Sequence, residues 1–397
     1  MRDDEEISLE NYLINNLFNT KLNIEHNVRL IAALEAIDSL IDFKNDRFDG
    51  VSLEAYNIIG NILAENTNVL GSSIVNSKMS LEELISNKEQ AFKSLSSGLN
   101  HIGRRILDTI RYSLSLFEFQ SKRLKKLREE LSKTEFDTKR VSIPVTIYLQ
   151  YGHNRENVQS AKEYIDEFRK MVDVVTNVVN LMEVLVKRDL FSWIKFISSE
   201  IKGDTDKFIS ERIEESKREY NQLISSAKLK KEDSGVNVRD PKGRSDIYAS
   251  DVLLGCFQIE TYMPKGELTL EFGKFNFYSF DITRYSDTKR KDSTHPRSVE
   301  IEFNKSEAQE LLNEVEKLLK DVNRLNTFEG RLNELLRINT NTSISSLASN
   351  ILSRLITKAG RVSLAIYSSV SSGFTSTYNI GFSNIRQALT IVEKTIK

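Results

Sequence analysis

Apolar positions recur at helical spacing over most of the chain. In "LNHIGRRILDTIRYSLSLFEFQSKRLKKLREELSK", Ile106, Ile110, Leu114 and Phe117 line one face, and Leu124, Leu127 and Leu131 continue it. That stepping by three and four predicts an amphipathic helix. Upstream, "ISLENYLINNLFNTKLNIEHNVRLIAALEAIDSLIDF" and "SLEAYNIIGNILAEN" predict further helices around a turn at "KNDRFDG". Ser80 and Glu83 stand at capping-box spacing, where each side chain satisfies an amide of the first turn. A broader apolar face runs through Tyr164, Phe168, Met171, Val175, Val179, Met182 and Val186. Its width predicts burial among several helices. Near the end, Leu311, Val315, Leu318, Val322 and Leu325 follow a predicted Ser306/Gln309 capping box at seam spacing. The last helix, roughly 343–396, carries Ile366, Val370, Phe374, Tyr378 and Phe382.

Two stretches break the period. "VSIPVTIYLQYG" alternates around Pro144 and predicts an edge strand or an extended connector. From Asp251 onward, "CFQIETYM", "ELTLEF", "FNFYSFDITRY" and "VEIEF" cluster aromatic and β-branched residues between "PKG" and "GK" turns. The polar run "KEDSGVNVRDPKGRSD" ahead of them reads as a linker. The predicted fold is therefore mainly α: long helices in bundles with a small antiparallel β insertion at about 247–304. The parts are 1–90, an acidic N-terminal helical region; 91–230, a helical bundle; 231–246, the linker; 247–304, the β element with a basic loop; and 305–397, long helices that pack on the bundle.

Composition narrows the function classes. The chain has 397 residues, 28% charged, with a formal net charge of −1. No global field draws it to nucleic acid or an anionic membrane, so such contacts require local patches. One cysteine, Cys256, excludes a disulfide framework and multi-cysteine metal sites. The start, "MRDDEEISLEN", has neither the basic nor the apolar region of a secretory signal. The apolar run from Met171 to Ile197 contains six charged residues, each costing roughly 2.5–3.5 kcal/mol near a bilayer centre. The 24 uncharged residues between Arg361 and Arg386 are rich in Ser, Thr and Asn, which favours a helix of a soluble protein over a membrane span.

Sequence spacings for phosphate loops, dinucleotide folds, zinc proteases and serine hydrolases are missing. His26, His101, His153 and His295 are scattered through unlike contexts. No catalytic residue, metal or cofactor is expected. Two basic clusters remain as contacts for DNA or an acidic partner. One is Lys122, Arg123, Lys125, Lys126 and Arg128, followed at once by Glu129 and Glu130; the other is Lys289, Arg290 and Lys291 in the loop "TKRKDSTHPR".

The order of segments resembles the internal head (inner-body) virion proteins of jumbo tailed bacteriophages. The likeness lies in the repeated acidic "LE" helices ("SLENYL", "ALEAIDSL", "SLEAYNIIG", "SLEELIS"), in the amphipathic helix that runs into "VSIPVTIYLQYG", in "DVLLGCFQIETYMP" after a polar linker, and in the long terminal helix "ITKAGRVSLAIYSSVSSGFTSTYNIGFSNIRQALTIVEKTIK". The resemblance implies a non-enzymatic structural protein inside the capsid, made in the host cytoplasm and packed with DNA, with other head proteins and with copies of itself, without membrane contact. It makes 1–90 a candidate propeptide or packaging segment, because relatives are trimmed after a small residue, any residue and Glu. Matching positions end at Glu35, Glu54 and Glu82. The alternatives are a helical scaffold that binds a membrane or a partner, and an enzyme with a dispersed site.

Overall fold

A computed structural model describes residues 2–45, 81–144, 158–186, 205–226, 229–231, 245–249, 257–265, 279–284, 298–340 and 350–397. Cys256, His153, His295 and the loop cations Lys289, Arg290 and Lys291 lie outside them. The helices are α1 (Arg2–Asn45), α2 (Leu81–Lys133), α3 (Ala161–Val184), α4 (Thr205–Ser226), α5 (Lys305–Asn323), α6 (Asn326–Thr340), α7 (Asn350–Ser376) and α8 (Ser383–Ile396). A π-helical segment, Thr377–Phe382, joins the last two without a break. The strands are β1 (Thr138–Pro144), β2 (Lys230–Lys231), β3 (Ser245–Ala249), β4 (Phe257–Pro264), β5 (Ser279–Arg284) and β6 (Ser298–Asn304). The mainly helical fold with a small antiparallel β component is as the sequence predicts.

At 1.5 Å per residue, the 53-residue α2 spans about 80 Å and forms the spine. Its one continuous helix runs through residue 90, where the sequence reading divides the chain. Contacts along its length give the directions of its neighbours. Tyr12 stacks on Tyr112 with ring centres 5.9 Å apart, while Asp38 pairs with Lys88, so α1 runs antiparallel to α2. Arg111 meets Glu329 of α6 and Arg128 meets Glu316 of α5, each at 2.8 Å, so these two helices descend antiparallel along the same spine. The terminal helix runs parallel to it: Phe117 meets Phe382 edge-on, and Arg123 meets Glu393.

A second line of contacts binds α3 to α5. Arg169 to Glu314 at 2.8 Å, Asp173 to Lys317 at 3.6 Å, Thr176 to Asp321 at 2.6 Å and Asn180 to Arg324 at 2.7 Å advance together. The two helices are therefore parallel, which requires the long crossover between them. The apolar faces close one continuous core in which Met171, Val172, Val179, Leu311, Val315, Leu318, Val322 and Leu325 are fully buried. These are residues that the helical periodicity marks as inward.

The β structure differs from the predicted insertion in one respect. β6, read as the last strand of the insertion, pairs instead with β1, 160 residues away in register Arg140 to Glu302 and Val141 to Ile301. Val141, Ile143, Ile301 and Phe303 turn inward and cap the end of the bundle. Local alternation identifies a strand but carries no information about its partner. The remaining strands form a separate sheet of order β2-β3-β4-β5, and β5 lies against α7. Lys231, Ser245 and Asp246, at the ends of the predicted linker, are strand residues. One cap also shifts. Asn304 Oδ1 accepts from the Glu307 amide and Glu307 Oε2 accepts from the Asn304 amide, both at 2.9 Å, so the capping box is Asn304/Glu307. Ser306 is already inside the first turn because β6 runs directly into α5.

Candidate functional site

Between α1 and α2 a polar strip runs beside the shared apolar core. Asn16, Thr20, Asn23 and Asn27 follow one another by four, three and four residues along α1. Asn16 Nδ2 donates to the Arg105 carbonyl at 2.6 Å and to Thr109 Oγ1 at 2.8 Å, and Arg105 Nη1 donates back to Asn16 Oδ1 at 3.2 Å. Farther along, Asn27 is buried and donates to the Asn23 carbonyl at 2.8 Å. Beside this seam opens a groove of about 480 Å³, lined by His26, Lys93, Ser94, Ser97, Gly98 and His101 among others, with no carboxylate in its wall. His101 Nε2 accepts from Arg105 Nε at 3.0 Å. Partial burial, then the Arg105 and Arg104 charges, hold His101 below the usual imidazole range. The two histidines, distant in sequence, thus share one wall. No group of three His, Cys, Asp or Glu side chains able to hold a metal is present among the described residues. The groove wall offers hydrogen-bond donors and acceptors, the imidazoles of His26 and His101 among them.

Gly98 sets how closely the two helices approach. A Cβ placed there would overlap the Asn27 side chain. Ala normally stabilises a helix interior by about 1 kcal/mol over Gly, but here overpacking of about 1–3 kcal/mol is the larger effect. Gly98→Ala is expected to lower the denaturation midpoint. Gly330→Ala on α6, where nothing lies within 4 Å, is expected to raise it. Two shifts of the same sign in urea unfolding would contradict this reading of the seam.

Two charge pairs sit deeper. Asp38 of α1 bonds Lys88 of α2, and Glu35 of α1 bonds Arg361 of α7. Burial pushes the Glu35 carboxyl up to about 7; the Arg361 charge and hydrogen bond and the Lys358 charge oppose that rise, and the Asp38 charge adds to it. Glu35 is one of the residues singled out as a processing position. Its tripeptide, Ala33-Leu34-Glu35, lies in α1 with Ala33 and Leu34 fully buried, so the bond is out of a protease's reach while the helix is folded. Glu82 stands in the first turn of α2, and Glu54 lies outside the described residues.

The structure divides the basic run of α2. Arg123 donates to Thr390 at 3.1 Å and Glu393 at 2.7 Å, and Arg128 to Asn313 at 2.7 Å and Glu316 at 2.8 Å, fastening α2 to α8 and α5. Lys122 pairs with Glu118 at 2.8 Å and Lys126 with Glu130 at 3.5 Å on the same helix. Lys122, Lys125 and Lys126 are the outward cations.

The sequence reading missed the outward face of α1, where Ile14, Phe18, Leu22 and Val28 are 49%, 63%, 46% and 51% exposed. Its signal is an apolar row offset from the inward positions Leu13, Ile24 and Ile31 of the same helix. No helix of the described residues is long and apolar enough to cross a membrane. Comparison with protein-family models, with curated proteins and with solved structures returns no match for this chain.

Proposed function

We propose that this protein is a non-enzymatic structural component of a bacteriophage virion, held inside the capsid, and that it works through packing surfaces. The observation that carries the reading is the exposed apolar row on α1, a helix anchored at both ends. Near its start, Glu10 accepts from the Tyr378 hydroxyl and lies 3.8 Å from Arg386; near its end, the Asp38 and Glu35 pairs hold it. A row of exposed apolar side chains on a firmly held helix supports a role in protein contact. The order of segments described above supports placing that contact inside a phage head. The distribution of the basic run favours protein over DNA as the main neighbour, because Arg123 and Arg128 are engaged within the fold. Contact with DNA phosphates then falls to Lys122, Lys125 and Lys126.

Mass spectrometry of purified particles tests this reading. Peptides of this chain are expected in intact virions at a constant ratio to the head proteins. Their absence from particles, while the chain is present in infected cells, would overturn it and leave a scaffold outside the virion. The same spectra test trimming: new termini at Ala36, Ala55 or Glu83 support it, and full recovery of peptides from Met1 or Arg2 excludes it.

A further inference from the structure

We infer that the outward face of α1 pairs with the same face of a second copy of this chain, antiparallel, about a two-fold axis at residue 23. This does not depend on where the protein is located.

The face has the spacing of a helix–helix seam. Ile14, Phe18, Lys21, Glu25, Val28 and Ala32 step by four, three, four, three and four, the alternation that keeps one stripe turned toward a partner helix. Phe18, Val28 and Ile14 are among the exposed apolar residues of α1, and Leu22 flanks them. The stripe ends at Ala32, because Ala33, Ala36 and Ile37 are fully buried in the chain's own core. From Ile14 to Ala32 it covers about 28 Å, five turns of helix.

The charges at its centre identify the occupant. Lys21 and Glu25 are exposed, and neither has an ion-pair partner among the described residues. They stand four apart with Lys first, the weaker order for a pair within one helix. With the axis at residue 23, Lys21 faces Glu25 of the copy, and the contact occurs twice. The same axis sets Phe18 against Val28 and Ile14 against Ala32, and brings Leu22 beside its own copy. A parallel pair in register would set Lys21 against Lys21 and Glu25 against Glu25. The stripe is thus complementary to itself in one orientation, and the like-charge juxtaposition disfavours the other.

Sedimentation velocity and light scattering of the full chain over a concentration series test the inference. The wild-type chain is expected to form a dimer that dissociates on dilution. Lys21→Glu and Glu25→Lys each create two like-charge contacts and are expected to weaken the dimer at least about tenfold. The double variant K21E/E25K restores both contacts and is expected to dimerise like wild type. An equimolar mixture of the two single variants is expected to form a heterodimer. Phe18→Glu removes the Phe18–Val28 contact on either side of the axis at a largely exposed position and is expected to give a monomer. A wild-type chain that stays monomeric at every concentration overturns the inference, as do single variants as dimeric as wild type, or a double variant that remains as weak as the singles.

Discussion

Replacing Asp38 by Ala is expected to lower the unfolding free energy by about 3–5 kcal/mol. Asp38 and Lys88 are 8% and 7% exposed at their side chains and join α1 to α2. Two charges taken from water are tolerated because each neutralises the other at close range in a medium of low dielectric. Removing the carboxylate leaves the Lys88 ammonium buried without it. A buried cation that has lost this counter-charge is costly. Chemical denaturation of D38A against wild type measures the cost. The double variant D38L/K88M replaces the pair by apolar side chains of similar size and is expected to recover most of the loss, because the desolvation cost disappears with the charges. A D38A loss below about 1 kcal/mol would place the pair among solvated surface bridges instead.

The second large effect is a dependence of stability on pH through Glu35. In the unfolded chain this carboxyl titrates near 4.5, and in the folded protein it is raised to about 7. Between those values the folded state holds a proton that the unfolded state has released. Stability therefore falls as pH rises through this window; the contribution is full below about 4.5 and lost above about 7. A shift of this size corresponds to something on the order of 3 kcal/mol. Urea unfolding at pH 5 and at pH 8 is expected to show the difference in wild type, and Glu35→Gln is expected to remove most of it. Parallel profiles for the two proteins would mean that Glu35 ionises freely in the fold. The two predictions are coupled, because the Asp38 charge helps to hold Glu35 protonated. D38A is expected to move the Glu35-dependent step to lower pH.

These pairs also mark a limit of reading the chain alone. Glu35 is 326 residues from Arg361, and nothing near either one in sequence distinguishes it from the many solvated carboxylates. The same holds for Arg123 and Arg128, which sit in a run that reads as an outward basic face. The helical repeat turns Leu124 and Leu127 of this run inward and leaves its five cations on the flanks and the outer face. Which of the flank cations are engaged depends on where α5 and α8 lie. His26 and His101 share a groove wall only because α1 and α2 are antiparallel with Tyr12 near Tyr112.

Periodicity alone was sufficient for the helices and their buried faces. Leu311, Val315, Leu318, Val322 and Leu325 are inward because the 3.6-residue repeat places them on one side, and burial of that side is the dominant driving force. It was sufficient also for the existence of strands at "VSIP" and "VEIEF". Their partnership, the parallel run of α3 against α5, the engaged arginines and the exposed row on α1 were decided by tertiary structure. Each depends on which surfaces meet across more than a hundred residues of chain, and the local pattern is the same whichever surface arrives.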